Sequence, residues 1–261
     1  MTANIHPSAI IEDGAVIGPD CVIGPFCIVG PEVKLGRGVV LKSHVVVTGD
    51  TTVGDETTIF SFAVIGEIPQ DLKFGGEKTS LVIGKRNRIR EHVTVNTGTA
   101  GGGSVTKIGD DCLLMAGCHV AHDAHLGDRV IIVNSTAVAG HVIIEDDVIV
   151  GGLCGIHQFV RIGRGAIIGA LTMVTNDVIP YALVQGARGK LDGLNLVGLK
   201  RRGVDRADIT AMRAAFQSLK DGEGAFLDRA RRLSEETESD YVREMVAFIL
   251  GDSDRSFLTP S

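Results

Sequence analysis

Residues 108–150 read IGDDCLLMAGCHVAHDAHLGDRVIIVNSTAVAGHVIIEDDVIV, and every sixth position is aliphatic: Ile108, Leu114, Val120, Leu126, Ile132, Val138, Ile144 and Val150. A period of six does not match whole turns of an α-helix, but it suits a short strand followed by a corner. The same phase continues at Ile156, Ile162, Ile168 and Val174. Upstream, one residue out of step, it runs from Ile5 through Ile11, Ile17 and Ile23 to Ile65, and returns at Ile83, Ile89 and Val95. Four residues after most of these aliphatics stands a small or β-branched residue, and Cys21, Cys27, Cys112, Cys118 and Cys154 all fall in that second register. The cysteines therefore read as small core residues, since paired spacings for disulfides or metal are absent. Three strand-plus-corner sides close a triangular coil of about 18 residues, and coils stacked about 4.8 Å apart bury one continuous aliphatic ladder. The predicted fold is a mainly β, parallel β-helix, followed by a smaller helical part.

The ladder is interrupted twice. Between Ile65 and Ile83 the gap is one coil's worth, but Asp71 and Glu77 take aliphatic positions; between Val95 and Ile108 a glycine-rich stretch shifts the phase by one residue. Both read as loops leaving the prism, near 67–82 and 96–107, and such loops are natural places for binding residues. The ladder fades after Val174. Beyond it, Ile209, Met212, Phe216 and Leu219 follow a helical apolar face, as do Val242, Met245 and Ile249. The expected division is a β-helix over 1–188 and a helical domain over 189–261.

Composition narrows the class. The chain of 261 residues has 34 glycines, no Trp and only 4% aromatics, which fits a core of aliphatics and small residues joined by many tight turns. A formal net charge of -6, with no basic stripe interleaved with aromatics, argues against nucleic-acid binding. No apolar run is long enough to suggest an integral membrane segment, and no N-terminal leader is recognisable, so a cytosolic protein is expected.

The coil repeat also predicts which side chains stack. His122 lies one coil below Gly140, Asp123 below His141, and Ala139 below His157, so three histidines share one strip along an edge of the prism. The strip is open to three readings: solvated corner histidines, a zinc site at a subunit interface, or general-base catalysis. Metal requires converging ligands, and neither cysteine nor a pair of carboxylates assists here. A base needs an imidazole held by a carboxylate, which the adjacent His122 and Asp123 supply; Gly140 offers a backbone N–H that an oxyanion can approach closely.

The stretches IGPFCIVGP (23–31), LKSHVVV (41–47), IGEIPQDLKFGGE (65–77), HVAHD (119–123), AGHV (139–142), HQF (157–159) and GLKRRG (198–203) closely resemble the UDP-N-acetylglucosamine O-acyltransferases of lipid A biosynthesis, a family of hexapeptide-repeat acyltransferases. The resemblance implies a left-handed winding. The histidine strip lies on the outside of a filled prism, where one flat wall encloses no pocket, and so predicts a homotrimer whose neighbouring subunits complete the clefts. The resemblance also implies transfer of a (3R)-3-hydroxyacyl chain from acyl carrier protein to the 3-hydroxyl of UDP-N-acetylglucosamine. The acyl donor rides on the carrier's phosphopantetheine, and no cofactor or metal is needed. The implied catalytic residues are His122 as base, Asp123 as its orienting acid and Gly140 as oxyanion donor. Substrate-contacting roles fall on Asp71, Lys73, His119, His141, His157, Gln158, Asn195, Arg201 and Arg202. Ala170, with Arg188 nearby, falls where the family ends its hydrocarbon cleft, which implies a chain near about twelve carbons, discriminated only modestly. Lys200, Arg201 and Arg202 form the local positive patch that an acidic carrier protein would need. Asn96 and Thr97 stand where well-known members carry His-Arg, and this keeps a 3-amino sugar nucleotide open as the acceptor. The same fold and histidine strip would also suit the sister N-acyltransferase and, less closely, a zinc carbonic-anhydrase-like trimer.

Overall fold

In the computed structural model, which describes residues 2–260, the chain winds as a left-handed parallel β-helix with four helices at its C-terminal end. Three flat faces are opened by Asn4–Ile5, Ile10–Ile11 and Val16–Ile17, and among the described residues they hold 11, 9 and 8 strands. Most strands are only two residues long, because the chain turns a corner every sixth residue. The aliphatic ladder fills the interior: Ile23, Leu41, Ile59, Ile89, Leu114, Ile132 and Ile168 are at most 1% exposed. Each such side chain contributes about 1.5–3 kcal/mol relative to remaining in water. All five cysteines are buried and unpaired in the second register, as the repeat predicts.

Corners are where the fold takes backbone strain. One residue at many of them adopts left-handed φ without being glycine, among them Phe26 (58°), His44 (58°), Phe62 (66°) and His92 (58°) on the edge between the first and second faces. Their rings stack in a column, with centroids 5.0, 4.9 and 5.2 Å apart.

The two interruptions differ from the sequence reading. Val53 pairs with Ile83 and Ile59 with Ile89, steps of 30 residues where an ordinary coil takes 18. The next coil pairs Ile83 with Ile108 and Ile89 with Leu114, steps of 25. The first gap is therefore not a coil of its own. It is a 12-residue excursion from one corner, and the second excursion adds seven residues, not one. Spacing counts residues without revealing on which side the chain rejoins. Both excursions leave the edge between the second and third faces, and so converge on the same place.

The prism also extends further than expected. Ala182–Gln185 continues the first face, and Lys190–Leu194 folds back antiparallel to it, past residue 188. Helix α1 (Leu196–Arg201) starts only after Asn195 caps it, its side chain accepting from the Gly198 N–H at 2.9 Å. Three longer helices follow: α2 (Arg206–Asp221), α3 (Phe226–Glu236) and α4 (Asp240–Leu250). The last residues return to the prism, where Asp177 forms a parallel bridge with Phe257. No helix among the described residues is long and apolar enough to cross a membrane.

Candidate active site

The edge that carries both excursions also carries the histidine strip. Asp123, His141 and Phe159 occupy the same corner position on successive coils, all with left-handed φ (59°, 62° and 65°). Asp123 is buried and fully engaged. Its carboxylate accepts from the Thr99 N–H at 2.8 Å and the Thr99 hydroxyl at 2.6 Å, and it faces His122 Nδ1 at 2.8 Å. Its own N–H donates to Thr106 Oγ1 at 2.8 Å. Thr99 comes from the glycine-rich excursion, which lies directly against the acid: a Cβ on Gly102 would stand 2.1 Å from Asp123 Cγ. Any larger residue there would push the loop off the carboxylate. Thr99 and Gly102 were not singled out by sequence, although the run of glycines one coil from the His122–Asp123 corner was the available signal.

With Nδ1 of His122 occupied by the carboxylate, Nε2 is the nitrogen left for chemistry. It lies under Gly140, where an added Cβ would stand 2.8 Å from Nε2 and 2.6 Å from Cε1. Glycine at that position is thus a steric requirement, and the Gly140 N–H donates to no group among the described residues. The ring of His141 stacks on Phe159 at 4.4 Å and meets the ring of His122 edge-on at 5.1 Å. Burial pushes the His141 imidazole below the ordinary histidine value despite nearby Asp123, and burial does the same to His119, whose Nδ1 lies 2.8 Å from Thr94 Oγ1. His122, Asp123 and His141 offer one donor atom each within 4.8 Å, a spacing able to hold a metal ion. Within this group His122 Nδ1 and Asp123 Oδ2 already face each other at 2.8 Å.

Above the pair opens a cleft of about 380 Å³ lined by His119, His122, Gly140, His157 and Gln158. It continues along the outside of the second face, where strand register stacks His119, Ala137, Gly155 and Met173. Ala137 and Gly155 leave the groove open, and Met173 closes it: a Cβ on Gly155 would lie 3.2 Å from Met173 Sδ. Ala170 sits on the neighbouring corner and does not line the cleft; Arg188 makes a backbone bridge to Met173.

The first excursion lies over the other end. Gln70 and Asn96 line the cleft, and Asn96 Oδ1 is buried without a partner among the described residues. Asp71 accepts from the Lys73 N–H at 2.9 Å, which with the Lys73 charge holds its carboxyl below the usual range; the ammonium itself is 3.6 Å away. Three expected site residues are elsewhere. Asn195, Arg201 and Arg202 border a separate recess with Arg129 over the first face. Asn195 is also committed structurally, because its amide donates to the Gly165 carbonyl at 3.0 Å while its oxygen caps α1.

A ladder of six-residue turns carrying a buried His–Asp pair beneath a glycine defines a hexapeptide-repeat transferase. The family models agree: residues 14–49 and 106–140 match the bacterial transferase hexapeptide, 141–175 match the hexapeptide repeat of succinyl-transferase, and 177–258 match the second domain of UDP N-acetylglucosamine O-acyltransferase. The chain is 66% identical over 202 residues (77% of each chain) to an acyl-[acyl-carrier-protein]--UDP-N-acetylglucosamine O-acyltransferase of Paracoccus denitrificans. It is 45% identical to the enzyme of that name from Agrobacterium fabrum, over 100% of this chain and 97% of the other. Among solved structures it resembles the UDP-N-acetylglucosamine acyltransferase of Campylobacter jejuni, with a TM-score of 0.93, 41% identity and coverage of 99% and 100%. The chain belongs to the UDP-N-acetylglucosamine O-acyltransferase family, and it is an acyltransferase.

Proposed function

We propose that this chain opens lipid A synthesis in the cytosol by moving a 3-hydroxyacyl group from acyl carrier protein to the 3-hydroxyl of UDP-N-acetylglucosamine. The observation that carries this is the buried His122–Asp123 pair, whose only free ring nitrogen lies beneath the Gly140 backbone. His122 Nε2 takes the proton from the sugar hydroxyl as its oxygen attacks the thioester carbonyl. The carbonyl oxygen becomes an oxyanion, which the Gly140 N–H stabilises. Collapse breaks the C–S bond, and the departing phosphopantetheine thiolate takes the proton back from His122. Asp123 holds the ring in the tautomer that begins the cycle. Asp71, Lys73, His119 and His141 surround the acceptor end, with His157 and Gln158 further along the cleft. The hydrocarbon lies in the small-residue groove toward Met173, with Ala170 and Arg188 behind that wall.

A homotrimer completes the site. Within one chain the histidine strip and the recess of Asn195, Arg201 and Arg202 lie on different parts of the surface, and the cleft is open on one side. The first excursion also holds Ile68 and Leu72 out into solvent, Leu72 entirely so. Three copies in cyclic symmetry would bring each strip against a neighbour's arginines and cover these side chains. The same basic surface, with Lys200, is the landing place for the acidic carrier protein.

The test is purified protein with UDP-N-acetylglucosamine and 3-hydroxyacyl carrier proteins of several lengths, read by mass spectrometry, which also separates ester from amide products. His122→Ala should lose about 10²–10⁴-fold in turnover while remaining folded. A folded variant with normal turnover would remove His122 from the mechanism. For the shared site, mixing inactive His122→Ala chains with inactive Arg201→Ala chains should restore about a quarter of turnover, because some clefts then draw both intact residues from different copies. No restoration, or an active monomer by sedimentation, would refute the shared cleft.

A further inference from the structure

The C-terminal tail reaches the strip at a point that the roles above leave unexplained. Arg255 Nη2 lies 2.7 Å from His157 Nδ1, and Arg255 Nε donates to the Gln158 carbonyl at 3.1 Å. The tail is anchored to hold it there. Asp177, fully buried, donates its N–H to the Ser256 carbonyl at 2.9 Å and accepts at its own carbonyl from the Leu258 N–H at 2.8 Å. Its carboxylate takes Arg161 Nε at 2.7 Å and the Ser253 hydroxyl at 2.6 Å, and Ser253 in turn accepts the Arg255 N–H at 3.0 Å.

A guanidinium has five donors and no acceptor, so the shared hydrogen must come from Arg255 and the lone pair from His157 Nδ1. The nearby Gln158 carbonyl, 3.2 Å from the same nitrogen, then gets no hydrogen from the ring; it is served by Arg255 Nε instead. The proton of a neutral His157 is consequently on Nε2. His122 is set the other way, because Asp123 draws the proton to Nδ1 and leaves Nε2 a lone pair. Two histidines in one cleft thus have opposite tautomers imposed by partners of opposite charge.

We propose that Arg255 is a positioning residue of the acyl-transfer site, fixing His157 as a hydrogen-bond donor toward substrate through Nε2 while His122 alone acts as proton acceptor. This rests on the acyl-transfer reading above. The ligand group that fits such a donor is an acceptor oxygen, such as a hydroxyl or amide carbonyl of the donor arm, and a second base at this point is excluded.

The test is nitrogen NMR on full-length protein labelled at histidine, with the His157 signals assigned by their loss in His157→Gln. The expected result is an unprotonated, pyridine-type Nδ1 and a protonated, pyrrole-type Nε2 for His157, and the reverse for His122. Arg255→Met should mix the two forms at His157 and lower kcat/KM by about tenfold, chiefly through KM, while Arg255→Lys recovers part of both. A pyrrole-type Nδ1 on His157 in the parent protein would overturn the proposal, as would Arg255→Met with unchanged signals and kinetics. Absence of acyl transfer by the parent with every donor would overturn the function beneath it, and is told apart because the nitrogen signals do not depend on turnover.

Discussion

At the scale of single residues the site is controlled by what is missing as much as by what is present. Gly140 has no room for a Cβ, because the ring of His122 occupies that space at 2.6 Å. Gly140→Ala should therefore displace the imidazole and lower turnover by about 10²-fold or more, with little change in thermal stability. A steady-state assay beside a melting curve checks this; an active Gly140→Ala enzyme would mean that the ring does not work where it lies. His119 and His141 carry a different signature. Burial holds both below the ordinary value of 6.5, so the unfolded chain binds protons that the folded one refuses. The stability they contribute is intact above pH 6.5 and is lost as pH falls from there through their folded values. Thermal midpoints measured downward from pH 7 should drop more steeply for the parent than for His119→Gln. Much of this site was legible beforehand, since stacking arithmetic alone sets His122 beneath Gly140 and Asp123 beneath His141. Thr99 and Arg255 were not, because their contacts come from an excursion and a tail that obey no period.

At the scale of elements the proposed acyl-transfer role makes the groove on the second face the place where chain length would be read. Its floor is the outward register of consecutive strands, small at Ala137 and Gly155 and blocked at Met173. The sequence reading put the stop at Ala170, which lies on the corner beside the groove and outside its lining, so Met173 and Ala170 are two candidate walls. Met173→Ala should shift the preferred donor toward longer acyl chains, each added methylene being worth about 0.8 kcal/mol when buried. Ala170→Gly should shift it less. Competition among 3-hydroxyacyl carrier proteins of graded length, read as product ratios, distinguishes the two walls. An unchanged profile in Met173→Ala would leave Ala170 as the stop. Helices α2 and α4 were predicted from their apolar periodicity, whereas α1 and α3 were not singled out. The antiparallel strand Lys190–Leu194 was missed because its alternation lasts only over Lys190, Leu191 and Asp192 before Gly193 breaks it.

For the whole molecule, the fold was legible because one period governs most of the chain and each repeat makes the same demand on its residues. That uniformity has a cost. Equivalent rungs are interchangeable, and a nascent segment gains nearly the same ladder bonds whether it docks on the correct coil or on the one beside it. A one-residue error is forbidden, since it turns the aliphatics outward, but an error of a whole coil preserves every contact except those at the ends. The steps of 30 and 25 residues between Ile59, Ile89 and Leu114 remove this ambiguity, because a slipped strand could not span them while keeping Thr99 against Asp123. The excursions therefore act as index marks on an otherwise unnumbered scale. The chain learns its position in the stack at the place where Asp123 is sealed by Thr99, so that a miscounted prism would also lack the assembled His–Asp pair.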